Sequence, residues 1–290
     1  MNKLMTVVAA SVCAVSLSGS AVAAEDSSTE NKKAVELQEE EDKLFEAGLD
    51  IDFDSAYIWR NVVQTDQLVL QPCVWADFTG LDPFWFGFSY WQGWDLSSDR
   101  SDIFHRRFNE SDYNLHVGAT AGENEDGDVS LEFELGHEWY TYHFDRRDGG
   151  RSLSPSTREF YLRGTFKNPL VNVTGQTSWM YDDIADYDSG FYYELAFNKE
   201  IPLCDELALG LDWNVSMGDS DYLLFLYDED VSEGFAGTTA KVYLTWSITD
   251  WMSLTGHVAY TGTLNPDARD AQSSDDKDIL WGGLRLSFSY

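Results

Sequence analysis

From Leu49 onward the sequence alternates apolar and polar residues with a period of two, interrupted by clusters of Asp, Gly, Asn and Ser. Phe84, Phe86, Phe88 and Tyr90 share one parity, against Trp85, Gly87 and Ser89 on the other. Further on, Leu207, Leu209, Leu211, Trp213 and Val215 oppose Ala208, Gly210, Asp212, Asn214 and Ser216. Ala240, Val242, Leu244, Trp246 and Ile248 likewise oppose Lys241, Tyr243, Thr245 and Ser247. Period two is the mark of a strand with one apolar face and one polar face. The pattern predicts twelve strands, at 48–61, 67–79, 83–95, 111–121, 128–143, 157–167, 169–182, 189–199, 203–216, 237–249, 251–263 and 278–290. Each is near the ~10 residues that a tilted membrane strand needs.

A soluble sandwich would alternate in the same way, so the connections carry more weight. Every second gap, beginning with 80–82, is short, while most of those between are long and polar. Short turns at one end and longer loops at the other are the layout of an outer-membrane barrel. On the apolar parity, Tyr57, Trp59, Tyr90, Tyr113, Trp139, Trp179, Tyr181, Trp213 and Tyr260 gather at the outer strand ends. Phe78, Phe84, Phe166, Phe197, Trp246, Phe288 and Tyr290 gather at the inner ends. Lipid headgroups favour two such girdles. The closing stretch "ILWGGLRLSFSY" alternates to its terminal aromatic, as expected of a last strand that pairs with the first and leaves no edge in hydrocarbon. The expected fold is therefore all-β: one closed antiparallel transmembrane barrel of about twelve strands over residues 47–290. Pro72 cannot donate to a ladder, and a bulge or local break is expected there.

Before the barrel, Lys3 precedes an apolar run from Leu4 to Leu17 and then Ala21-Val22-Ala23-Ala24. Residues 1–24 read as an exported signal peptide, and 25–46 as a charged periplasmic linker. The formal net charge of -32 excludes nucleic acid as a partner, since phosphates would be repelled. Mean hydropathy is -0.35, which suits a barrel whose polar interior masks its membrane character. Cys73 and Cys204 fall on distant strands and are expected to be free thiols.

The stretch "DSAYIWRNVVQTDQLVLQP" (54–72), followed by "WQGWDLSSD" (91–99), resembles the start of TorF-like outer-membrane porins and related barrels. The elements that carry it are Ser55, Tyr57, Trp59, Arg60, Gln71 and Pro72; relatives commonly have Gly where this chain has Asn61. The resemblance implies a porin-like outer-membrane protein and transfers no catalytic residue.

The water-facing parity collects Asp50, Asp52, Asp54, Asp77, Glu132, Glu134, Glu138, Glu159, Glu194 and Asp212, against Arg60, Arg163, Lys241 and Arg285. Excess carboxylate in a narrow tube attracts cations. The expected pore lining is Arg60, Asp77, Glu132, Glu134, Glu159, Arg163, Glu194, Asp212, Lys241 and Arg285. The expected function is passive diffusion of small hydrophilic solutes with cation preference. The alternative is a structural or adhesive barrel in which these charges pair and plug the lumen, since twelve strands lie between filled and open barrels. Trp75, Trp85, Trp91, Tyr140, Tyr161, Tyr192, Tyr243 and Trp281 would either stack on a solute ring or fill volume. No cofactor motif occurs and no enzyme is expected: the His-x-Ser-Asn-Gly stretch of barrel phospholipases is absent. His105 and His143 near rim acids only imitate a barrel protease, and His137 and His143 are too far apart for one metal. Acidic outer loops at 181–188, 227–234 and 267–278 read as solvated surface, with bridging of divalent cations to lipopolysaccharide as the other possibility. Expected partners are outer-membrane lipid and lipopolysaccharide, the barrel-assembly machinery through the C-terminal strand, and small solutes.

Overall fold

The computed structural model describes residues 44–96, 109–124, 128–142, 156–181, 189–227, 231–272 and 277–290. The expected signal peptide, nearly all of the linker, His105 and His143 lie outside them. Strand β1 (Phe45–Asp54) is followed by two short strands, β2 (Tyr57–Trp59) and β3 (Val62–Thr65). Then come β4 (Val69–Leu81), β5 (Phe84–Asp95), β6 (Asn109–Glu123), β7 (Ser130–Tyr142), β8 (Ser156–Lys167), β9 (Asn172–Met180), β10 (Gly190–Cys204) and β11 (Leu207–Gly218). Helix α1 (Ser220–Tyr227), β12 (Gly234–Thr249), β13 (Met252–Thr263), helix α2 (Pro266–Ala271) and β14 (Asp278–Ser289) complete the chain.

Twelve strands close into one antiparallel barrel in the order β1-β14-β13-β12-β11-β10-β9-β8-β7-β6-β5-β4. Each strand pairs with its neighbour in sequence, apart from the closing seam. There β14 meets β1 in antiparallel register, with Leu284 opposite Phe53 and Leu286 opposite Ile51. No edge is left in the wall, which a hydrocarbon environment demands because an unpaired N–H or C=O has no water to turn to. The seam strand points its apolar parity outward, and Leu284 is 53% exposed. Phe86, Leu135, Leu162, Val242 and Val258 are similarly exposed around the outside and form a continuous apolar belt. The outer girdle is present at Tyr113, Trp139, Trp179, Trp213 and Tyr260, all outward and exposed, and Phe84, Phe166, Trp246 and Tyr290 do the same at the inner end. A closed barrel with such a belt is a protein of the bacterial outer membrane.

Two expectations need correction. The first strand stops at Asp54 instead of continuing to residue 61. Tyr57 and Trp59 therefore do not join the outer girdle; both are buried inside the barrel, at 2% and 1% exposure. The alternation that seemed to extend the wall belongs to a separate hairpin, β2–β3, folded inward. Second, residues 217–236 hold a buried helix, α1, where only a loop was expected. At Pro72 the expected irregularity takes the form of a local break and not a bulge. It sits opposite Ile51 of β1, and towards β5 the pairing passes from Leu70–Trp94 to Cys73–Trp91 in unchanged register. Proline removes one donor here without adding a residue, so the ladder loses a rung and keeps its phase. Among the described residues the two cysteines are free, Cys73 buried and Cys204 exposed.

Candidate functional site

Nine of the ten residues expected to line a pore lie on the lumen face of wall strands, as parity dictates. They do not stand as isolated charges. Glu134 accepts from Arg163 at 2.9 Å, and Glu132 from Lys167 at 2.5 Å. Asp212 meets Lys241 at 3.0 Å, and Arg285 donates to Asp52 at 2.7 Å. Three of these pairs are cross-strand neighbours on the lumen face (Glu134–Arg163, Asp212–Lys241 and Asp52–Arg285), so strand register alone brings them together. Glu194 accepts from the Tyr192 hydroxyl at 2.7 Å. Asp77 reaches His116 at 2.9 Å across the intervening strand, and the other ring nitrogen of His116 contacts Asn114 at 3.0 Å. That pair forms because Gly87 lies between them: a Cβ there would sit 1.8 Å from the Asp77 carboxylate. Acid remains in excess, because Asp50, Glu138 and Glu194 have no cation within ion-pair distance among the described residues.

Arg60 departs furthest from expectation. It sits on no wall strand. After Asp54 the chain leaves the wall at Ser55, whose N–H donates to the Gly282 carbonyl, and enters the barrel as the β2–β3 hairpin. The two turn residues, Arg60 and Asn61, have φ of 50° and 63°. A two-residue hairpin of this hand requires positive φ at both central positions, which Gly and Asn accept most readily. From the tip, Arg60 crosses to β8, on the far side of the ring from β1, and forms an ion pair with Glu159. Its second terminal nitrogen donates to Ser178 at 3.3 Å. The guanidinium lies 4.0 Å from the Tyr192 ring centroid and 5.7 Å from that of Tyr222. Asn61 donates to Ser216 at 2.9 Å and accepts from Thr239 at 2.5 Å, fixing the tip against β11 and β12.

Helix α1 closes over this hairpin. Asp219 caps it, accepting the Tyr222 N–H at 2.8 Å, while its other carboxylate oxygen accepts the Phe191 N–H at 2.8 Å. The helix is apolar on most sides, a pattern suited only to burial, and Tyr222, Leu223, Phe225 and Leu226 are buried. Trp59 packs edge-on against Phe225 and against Tyr140, with centroids 6.1 Å apart in each case. Tyr222 donates to Glu159 at 2.5 Å, and Tyr140 to Glu138 at 2.5 Å. Around this level most strands of the ring contribute a buried lumen residue: Asp54, Cys73, Trp91, Asp112, Tyr140, Glu159, Ser178, Tyr192, Ser216, Ala236 and Thr261. Buried side chains from the wall, the hairpin and α1 occupy the outer half of the lumen.

The inner half differs. Its aromatic side chains lie flat on the wall over glycines of the adjacent strand: Trp75 over Gly48, Tyr161 over Gly136 and Tyr243 over Gly210. Each of these rings keeps one face against a glycine of the wall. The acidic outer loops lie largely outside the described residues. In their described parts, Asp267 accepts from the Ser232 hydroxyl at 2.5 Å and Asp278 pairs with Arg269 at 2.6 Å. Among the described residues no group of three His, Cys, Asp or Glu is placed to hold a metal ion. Sequence reasoning missed Asn61, Trp59 and α1 as parts of the site. The Asp219-Ser220 cap before "DYLLFLY" was the available signal.

The architecture is that of outer-membrane β-barrels. The chain is similar to an outer-membrane channel from Pseudomonas putida F1, with 12% identity, 85% of this chain and 95% of that chain covered, and a TM-score of 0.50. It is also similar to the translocator domain of the autotransporter NalP from Neisseria meningitidis (12% identity, 90% and 95% covered, TM-score 0.48). Outer membrane phospholipase A from Escherichia coli is a third such structure (15% identity, 84% and 92% covered, TM-score 0.47). At these identities the likeness concerns the fold. No protein-family model and no curated protein matches the sequence.

Proposed function

We propose that this chain is a porin-like outer-membrane channel that rests closed, with the β2–β3 hairpin and α1 as the plug of its outer half. The observation that carries this reading is the Arg60–Glu159 pair, which ties a loop tip to the opposite wall across the lumen. When the hairpin leaves, an aqueous path lined by Glu132, Glu134, Asp77, Glu194 and Asp212 remains, and surplus carboxylate favours cations there. Small hydrophilic solutes, cations above anions, are the cargo of the open state. Tyr57, Trp59 and Arg60 of the hairpin are among the residues that carry the resemblance to TorF-like porins. Export by residues 1–24, a periplasmic linker, contact with lipopolysaccharide and insertion by the barrel-assembly machinery belong to the same reading, which is non-enzymatic.

A second reading has its own support. The aromatic packing of Tyr57, Trp59, Tyr140, Tyr222 and Phe225 is as dense as a structural core, which favours a barrel that never opens. Bilayer recordings separate the two. Replacing residues 55–66 by a short Gly/Ser turn should convert rare, small openings into steady, cation-preferring current. Neutralising Glu132 and Glu134 to Gln in that background should lower the preference. A folded hairpin-less barrel that carries no current would favour the structural reading.

A further inference from the structure

The pocket around Arg60 has the composition of a receptor for a guanidinium ion. Glu159 supplies a carboxylate whose side chain is 0% exposed, and Ser178 supplies an acceptor oxygen. Tyr192 presents its ring face 4.0 Å from the guanidinium carbon, with the ring of Tyr222 at 5.7 Å. A buried carboxylate beside aromatic faces suits a planar, delocalised, weakly hydrated cation better than a compact ammonium. The resident arginine fits this receptor imperfectly. Its Nε is buried with no hydrogen-bond partner among the described residues, and its backbone is held at φ 50°, a region that non-glycine residues rarely adopt. Both defects come from the tether, since the side chain must reach the pocket from a two-residue turn.

We propose that Arg60 is a tethered stand-in for a small guanidinium-bearing solute, which competes for the Glu159–Tyr192 pocket and thereby releases the plug. The proposal rests on the closed-channel reading and names the solute class that opens it. A free guanidinium carries no backbone constraint and can turn to satisfy every N–H. It binds only the state from which the hairpin has left, and so shifts the population towards that state. The pocket is used twice, once by the chain itself and once by the cargo.

The test has two arms. In bilayers, millimolar methylguanidinium on the outer side of the full-length protein should raise open probability several-fold, whereas methylammonium or potassium at equal ionic strength should not. The Glu159→Gln variant should lose that selective response. In the hairpin-less variant the pocket is vacant, and calorimetry should record one methylguanidinium bound at least tenfold more tightly than methylammonium, with Glu159→Gln abolishing it. Heat of binding that is absent or equal for the two cations overturns the proposal, whether or not that variant conducts. A hairpin-less barrel that conducts, paired with a full-length protein deaf to methylguanidinium, overturns the proposal and leaves the closed-channel reading standing. A hairpin-less barrel that does not conduct refutes the channel reading by itself.

Discussion

Arg60 and Glu159 are separated by 99 positions in sequence, yet they form an ion pair that ties the hairpin tip to β8. Removing one member of a buried ion pair leaves the other charge without compensation and costs about 3–5 kcal/mol. Glu159→Gln should therefore loosen the hairpin while leaving the wall intact. Trp59 fluorescence should shift to the red with an unchanged strand signal by circular dichroism; a Trp59 emission identical to wild type would contradict the role given to the pair. Parity placed Glu159, Glu134, Arg163, Asp212, Lys241 and Arg285 in the lumen correctly, because a strand's two faces follow from its period. Cross-strand partners such as Asp212 and Lys241 then followed from register. Arg60 could be assigned to the lumen but not to its partner, since that contact depends on where the chain leaves the wall. At the outer rim, Asp267 is held below the ordinary carboxylate range by the hydroxyl and N–H of Ser232. A depressed folded value means the contact contributes above the unfolded pKa of about 4 and is lost as pH falls through the folded one. The protection factor of the Ser232 amide, taken relative to the base-catalysed exchange of a free amide at each pH, should hold at neutral pH and fall in acid; a fall confined to alkaline pH would reverse the sign.

At the scale of elements, wall strands were legible and plug elements were not. The boundaries of β8, β12, β13 and β14 lie within three residues of those the alternation predicts. The hairpin escaped because Phe53, Ser55, Tyr57 and Trp59 keep the parity of β1, so period two runs on across a change of direction. The turn is spelled Arg-Asn instead of the usual Asn-Gly, which weakened the break signal. The observed φ of 63° at Asn61 explains why a glycine is accepted at this position in the barrels it resembles. Helix α1 was hidden inside a 20-residue gap whose apolar octet lacks the 3.6-residue stripe of a surface helix. Its stability leans on one cap. Asp219→Ala removes the acceptor of the Tyr222 and Phe191 amides and should cost about 1 kcal/mol. Amide protection across 220–227 should fall several-fold, while protection in β11 and β12 stays put.

For the whole molecule, lipid and water are divided by the wall, and the plug divides the lumen again. The outward belt makes a direct demand on Leu284, midway along β14 and 53% exposed. Leu284→Arg would place a charge near the bilayer midplane and should reduce folding stability by about 2–4 kcal/mol in lipid, read by denaturant titration. The same change at a lumen position should cost far less. The central claim, a lumen filled in its outer half, can be read from Cys73 and Cys204. Cys73 lies on the lumen wall beneath the hairpin at 3% exposure, whereas Cys204 is exposed at the end of β10. A membrane-impermeant maleimide applied to both sides of the folded protein should label Cys204 quickly and leave Cys73 unmodified. Labelling of Cys73 at a rate close to that of Cys204 would mean that water reaches the wall where the structure places the plug.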